Sequence, residues 1–215
     1  NMDGENKGLI TYMRTDSTNL SNQFIQEAKK IISDDFGDNY VYDSVRTFKN
    51  KVKNSQEAHE AIRPSDPSIK PDELPASLEK DLKSLYDLIW RRSLSTQASQ
   101  SISKIISIKV INQSNKIILT ASTSELEFDG YKKIYQDEET NTINRNKEID
   151  KLNKETLIKK VETEKKQHFT EPPPRYTEAS LIKKLEEYGI GRPSTYANIM
   201  KKNQLRGYVS LNAKR

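Results

Sequence analysis

The spacing of apolar residues changes period twice along this chain, and that constrains its fold more than any other feature. Up to about residue 97 the pattern is helical: Leu78, Leu82, Leu85, Ile89 and the single tryptophan, Trp90, recur at three- and four-residue intervals, as on the apolar face of an α-helix. Further on, Ile106, Ile108 and Val110 alternate with polar residues, and so do Ile117, Leu119 and Ala121. A two-residue period belongs to strands, and the turn-rich stretch 112–115 between the two runs predicts an antiparallel hairpin. Beyond residue 168 the helical period returns with Leu181, Ile182 and Leu185. Helices, then a β segment, then helices again predict an α+β protein in three pieces, 1–97, 98–167 and 168–215.

Local signals refine this outline. Residues 8–14 read as a short strand, rich in β-branched and aromatic side chains. Ser21 is placed to cap a helix carrying Ile25, Ala28 and Ile31/Ile32, with Leu20 and Ile25 as a hydrophobic staple. A second short helix is expected over 55–63, stopped by Pro64. Ser77 opens the strongest helix, through about Gln97, whose Leu78, Leu82, Leu85, Ile89 and Trp90 are core positions. Another extended piece spans 125–135 with a turn at Asp129-Gly130. Residues 136–150 read as a mobile loop and 157–161 as one more strand.

Composition excludes several classes of function. Cysteine is absent, which removes disulfides, thiolate catalysis and Cys-ligated zinc and fits the cytoplasm. No run approaches the roughly 18 apolar residues of a membrane span, and residues 1–8 show no secretory signal. The net charge is +5, and the 9 Lys/Arg against 4 Asp/Glu in residues 168–215 account for all of it. Positive charge gathered in one segment attracts a polyanion better than the same charge spread evenly.

Tyr12 and Arg14 lie two apart on the expected strand, hence on one face. A phenol ionises only near pH ~10 and is a poor nucleophile unless its phenolate is favoured. A nearby guanidinium can do that and can also stabilise a phosphoryl group under attack. The surrounding Leu9-Ile-Thr-Tyr-Met-Arg-Thr-Asp-Ser17 closely resembles the active-site segment of type IA DNA topoisomerases. The resemblance implies that Tyr12 is the nucleophile and forms a covalent link to the 5′ phosphate of a cleaved single strand, with Arg14 assisting. Met13 points to the bacterial topoisomerase I branch, since the topoisomerase III branch usually has proline there.

Two further segments agree. Gln56-Glu-Ala-His-Glu-Ala-Ile-Arg-Pro64 resembles the family's histidine motif, which implies that His59 acts electrostatically near the scissile phosphate, with Arg63 as a DNA contact one helical turn away. Residues 168–180 and 189–196, with Pro172-Pro-Pro-Arg-Tyr-Thr-Glu-Ala-Ser180 and Gly189-Ile-Gly-Arg-Pro-Ser-Thr-Tyr196, match the family as well. Thr177 is a good N-cap for one helix, Gly189 a good stop, and Ser194 the expected cap of the next. Helix N-termini beside arginines form anion sites. Arg175, Thr177, Ser180, Arg192, Ser194 and Thr195 are therefore the candidate phosphate contacts, which would position a strand without reading its sequence.

The family's fold, as the resemblance implies, is a toroid in which a Toprim domain supplies an acidic cluster that binds Mg2+. No Asp-x-Asp-x-Glu occurs in this sequence, so no metal site or cofactor is expected here, and the chain is expected to be an internal fragment of the enzyme. On this reading residues 1–97 are the tyrosine-bearing lid, 98–167 the β arch and 168–215 the start of a helical domain for single-stranded DNA. The expected partner is single-stranded or negatively supercoiled DNA, with no membrane association, a monomeric state and a place in the bacterial nucleoid. Relaxation would proceed by cleavage, strand passage and religation without ATP, and the fragment alone would be inactive. A topoisomerase III-like enzyme and a non-catalytic single-stranded nucleic-acid-binding module stay open as alternatives.

Overall fold

The computed structural model describes residues 8–46, 48, 59–112, 114, 116–135, 152–154, 156, 157, 162 and 164–212. The chain divides into two compact units, Asn1–Leu157 and Ile158–Arg215. Among the described residues the architecture is mixed α+β, with four α-helices and one two-stranded antiparallel sheet.

In the first unit, helix α1 spans Asn22–Phe36 and helix α2 spans Lys80–Ser95. Ser21 caps α1 as expected: its hydroxyl accepts the Phe24 N–H at 3.3 Å. Each helix buries one i, i+4, i+8 row, Phe24, Ala28 and Ile32 on α1 and Tyr86, Trp90 and Leu94 on α2, and Leu74, Ala98 and Ile134 complete the same cluster. Such spacing stacks side chains on one helix face. Trp90 also donates its indole N–H to the Pro67 carbonyl at 2.8 Å, so the ring is buried without an orphaned donor. This carbonyl lies in the proline-punctuated stretch between the helices.

The core face of α2 keeps two of its expected members, with Trp90 buried and Leu78 packed against the core, and differs in the rest. Leu82, Leu85 and Leu88 are half exposed, Leu78 and Ile89 are intermediate, and the helix begins at Lys80 after Glu79 rather than at Ser77. Leucines occupy two rows of this helix, and packing against α1 selected the row with the aromatic rings. The 55–63 helix is also corrected over its described part. Residues 59–63 are non-helical, because their backbone groups bond to residues 11 and 19 instead: Ala61 N–H to Asn19 O at 2.8 Å and Thr11 N–H to Arg63 O at 2.9 Å. Nor does 8–14 form a strand. Only Ile10 pairs, in an isolated bridge with Pro64, and the backbone bends beyond it.

The hairpin forms in the expected place. Strand β1, Ile102–Ile111, pairs with β2, Ile118–Phe128, in a register running from Ile102–Phe128 to Ile111–Ile118. β2 continues through the start of the expected 125–135 piece, then turns at Asp129 into a single 3-10 turn, Gly130–Lys133. The base of the hairpin is clamped to the helical part. Tyr40 donates its hydroxyl to Asp129 at 2.7 Å, Ser99 N–H bonds Tyr40 O at 2.8 Å, and Tyr131 N–H bonds Ser99 O at 2.8 Å. The loop expected at 136–150 and most of the strand expected at 157–161 lie outside the described residues; Leu157 itself is not in a strand.

In the second unit, helices α3, Glu178–Glu187, and α4, Tyr196–Leu205, follow one another. Each ends in a left-handed glycine, Gly189 with φ 69° and Gly207 with φ 70°. Ile190 N–H bonds Leu185 O at 2.8 Å and Tyr208 N–H bonds Asn203 O at 3.0 Å, which satisfies carbonyls the helices leave open. Its half-buried side chains include Leu181, Ile182, Leu185, Tyr196, Ile199 and Met200, and no residue of either helix is fully buried.

Candidate active site

Tyr12 follows directly on the bridge between Ile10 and Pro64. Thr11 fastens it there with three hydrogen bonds to one short segment: its N–H donates to Arg63 O at 2.9 Å, its hydroxyl donates to Ala61 O at 2.8 Å, and it accepts the Arg63 N–H at 3.0 Å. Ser65 N–H bonds Leu9 O at 3.0 Å on the other side of the bridge. Downstream, Thr15 Oγ1 accepts the Ser17 N–H and Ser17 Oγ accepts the Asn19 N–H. These two side-chain turns bring the chain round so that Asn19 O takes the Ala61 N–H. Ala61 is thus bonded on its N–H by Asn19, just after the motif that contains Tyr12, and on its C=O by Thr11, within it.

The consequence is that two side chains remote in sequence meet. The Tyr12 and His59 rings lie with centroids 5.6 Å apart and planes tilted by 48°. Tyr12 is 56% exposed, so its side chain is accessible from solvent. Arg14 is exposed as well, but the bends at Met13 and Arg14 remove the shared strand face that would pair it with Tyr12. Arg63 is the opposite: its side chain is only 13% exposed and bonds Glu60 at 2.6 Å, Pro64 O at 2.8 Å and Ser21 Oγ at 3.3 Å.

In the second unit, Thr177 caps α3 and forms a reciprocal box with Ser180. Ser180 N–H bonds Thr177 Oγ1 at 3.1 Å and Thr177 N–H bonds Ser180 Oγ at 2.8 Å. Arg175, Thr177, Ser180, Arg192, Ser194 and Thr195 are all exposed. Ser194 does not cap α4. The turn Arg192–Thr195 closes first, with Thr195 Oγ1 accepting the Arg192 N–H at 2.8 Å, and the helix starts at Tyr196 with Thr195 in the cap position. The Arg192 guanidinium bonds the Gly191 carbonyl at 2.8 Å. Lys184 and Glu187 pair at 2.7 Å, which raises the lysine pKa and lowers that of the glutamate through their shared hydrogen bond.

A bacterial DNA topoisomerase family model matches residues 5–215. The chain is 46% identical over 212 residues to the DNA topoisomerase 1 of Rickettsia bellii, covering 98% of this chain and 26% of that protein. This chain belongs to the bacterial type IA DNA topoisomerases. The DNA topoisomerase 1 of Campylobacter jejuni is 42% identical over 207 residues, 96% of this chain and 29% of the relative. The full-length topoisomerase I structure from Thermotoga maritima superposes with a TM-score of 0.69 at 32% identity, over 95% of this chain and 32% of that one. The topoisomerase sequence described here therefore spans about a quarter of the length of its curated relatives.

Among the described residues no three His, Asp or Glu side chains come together as a ligand set. No described helix is long and apolar enough to cross a membrane. Sequence reasoning missed Thr11, Glu60 and the second use of Ser21. All three lie in or beside the motifs, but their partners are backbone and side-chain groups that only the folded chain brings close.

Proposed function

We propose that this chain is the tyrosine-bearing part of an enzyme that changes DNA topology by transient single-strand cleavage. The Tyr12 hydroxyl attacks a backbone phosphate, a phosphorus–oxygen bond to the phenol forms, and the bond from that phosphorus to the 3′ oxygen breaks. The phenol loses its proton and the departing 3′ oxygen gains one; religation reverses both transfers and needs no ATP. Arg14 and His59 favour the charge that gathers on the phosphate. Residues 1–97 serve as the lid of a toroid, 98–167 as the arch on which it moves, and 168–215 as the start of the domain that holds the strand. There Arg175, Thr177, Ser180, Arg192, Ser194 and Thr195 contact phosphates without reading sequence. The enzyme works as a monomer on negatively supercoiled DNA in the nucleoid. Mg2+ belongs to the whole enzyme, with ligands outside this chain, and no step here runs through it.

The observation that carries the reading is the exposed Tyr12 ring beside His59. The test is adduct trapping. The full-length protein is denatured during turnover on a single-stranded oligonucleotide labelled at its 3′ end, and the labelled peptide is mapped. Label is expected on Tyr12 and is expected to vanish in Tyr12→Phe. Label retained by that variant, or mapped to another side chain, overturns the reading in favour of a non-catalytic DNA-binding module. The 215-residue chain alone should leave a supercoiled plasmid unrelaxed, and efficient relaxation by it would refute the division of labour.

A further inference from the structure

We infer that Arg63 is a positioning residue that holds His59 against Tyr12, and that it does not contact DNA phosphate. The inference rests on the reading of Tyr12 as the nucleophile and replaces the expectation that Arg63 grips the strand.

Arg63 connects three parts of the unit at once. Its backbone is bonded in both directions to Thr11, the residue before Tyr12. Its Nε–H donates to Glu60, the residue after His59, at 2.6 Å. Its Nη2 reaches Ser21 Oγ, the cap of α1, at 3.3 Å, and its guanidinium carbon lies 4.9 Å from the centroid of the Phe24 ring. Phe24 is 1% exposed and belongs to the core. This side chain therefore ties the segment from His59 to Pro64, which has no helix of its own, to the cap and core face of α1, beside the buried Pro64.

A phosphate-gripping arginine needs N–H groups turned to solvent. Here the side chain is 13% exposed and donates to three protein acceptors, Glu60, Pro64 and Ser21. Swinging it outward would give up the Glu60 ion pair and uncover the Phe24 ring. Removing it should leave DNA affinity unchanged and loosen the geometry of the reaction. Small displacements are enough: a misplacement of about 1 Å can cost roughly 100-fold in rate.

The test uses the full-length protein with a labelled single-stranded oligonucleotide, and reads equilibrium binding and single-turnover adduct formation separately. Arg63→Gln is expected to slow adduct formation about tenfold, with oligonucleotide affinity and its salt dependence unchanged. His59→Ala is expected to slow it roughly 100-fold. In the His59→Ala background Arg63→Gln should cost less than about twofold, because residues acting as one unit are not additive. Glu60→Gln, which reduces the charge-assisted bond to Nε to a neutral one and keeps the arginine charge, should show the same pattern with a smaller loss.

Three outcomes overturn the inference. A fall in the slope of log affinity against log salt by about 0.7 in Arg63→Gln would mark a lost phosphate contact. Equal losses in both backgrounds would mark a merely structural residue, and unimpaired adduct formation by His59→Ala would leave nothing to position. Should Arg63→Gln fail to fold, Glu60→Gln measured in the two backgrounds decides by the same criteria. Tyr12→Phe run in parallel separates these failures from failure of the underlying reading, since an adduct that survives that substitution condemns the nucleophile rather than Arg63.

Discussion

The Thr11 hydroxyl donates to the Ala61 carbonyl at 2.8 Å while accepting the Arg63 N–H at 3.0 Å, so the residue beside Tyr12 sets the register of the segment that bears His59. Thr11→Val keeps the β-branched shape and the backbone bond but deletes both side-chain bonds. A stability loss of about 1–2 kcal/mol is expected, together with a roughly tenfold slower formation of the covalent adduct. Urea denaturation and single-turnover trapping measure the two, and unchanged trapping would show that backbone pairing alone sets the register.

Two left-handed glycines should respond very differently to alanine. Gly130 has φ 52°, and a Cβ there would collide with the Gln100 carbonyl and come within 2.7 Å of the Ser101 nitrogen. Gly189 has φ 69° with nothing within 4 Å of the added atom. Gly130→Ala should cost on the order of 3 kcal/mol, combining strain and overpacking, and Gly189→Ala only about 1 kcal/mol of backbone strain. Equal losses in equilibrium unfolding would argue against the tight hairpin base.

The outward leucines of α2 should be dispensable for folding of the 215-residue chain. Leu82→Gln, Leu85→Gln and Leu88→Gln change half-exposed positions and should each shift stability by no more than about 0.5 kcal/mol. Leu94→Ala removes a fully buried side chain and should cost about 2–5 kcal/mol. The comparison needs only urea midpoints; the reverse ranking would mean that α2 packs through its other face.

Alkaline pH offers an independent check on the core. The Tyr86 hydroxyl bonds Ile69 O at 2.8 Å, and burial, helped by the Asp66 and Glu73 carboxylates, pushes its pKa up to about 12. The unfolded value is about 10, so the folded chain holds this proton more tightly. The resulting stability is complete below pH ~10 and disappears as pH rises through ~12. At neutral pH Tyr86→Phe should cost about 1 kcal/mol for the hydrogen bond. The gap between wild type and variant should narrow between pH ~10 and ~12; a constant gap would place the hydroxyl in solvent.

Much of the secondary structure was legible because it is written in local patterns. Ser21 capping α1, Thr177 and Gly189 bounding α3, and the β1–β2 hairpin each follow from a few neighbouring residues whose preferences agree. The misreadings share a different cause. The pattern at 78, 82, 85, 89 and 90 is helical, and Trp90 is buried as it suggests, yet Tyr86 and Leu94 join Trp90 in the buried row while Leu82 and Leu85 stay half exposed, a choice that only packing against α1 makes. The Ser194 cap failed because Thr195 closes a turn back onto Arg192 before the helix begins.

The sequence by itself determined that helical and β segments alternate, and its motifs singled out Tyr12 and His59 separately as candidate site residues, because side-chain type and short-range spacing are properties of the chain alone. Their meeting was decided by the tertiary structure. Hydrogen bonds from Leu9, Thr11 and Asn19 to residues 61–65 take 59–63 out of the helix its composition suggests, since backbone groups satisfied by a distant segment no longer need a helical partner. The same rearrangement turns Arg63 inward onto Glu60 and Phe24, a destination set by which surfaces the folded chain places beside it.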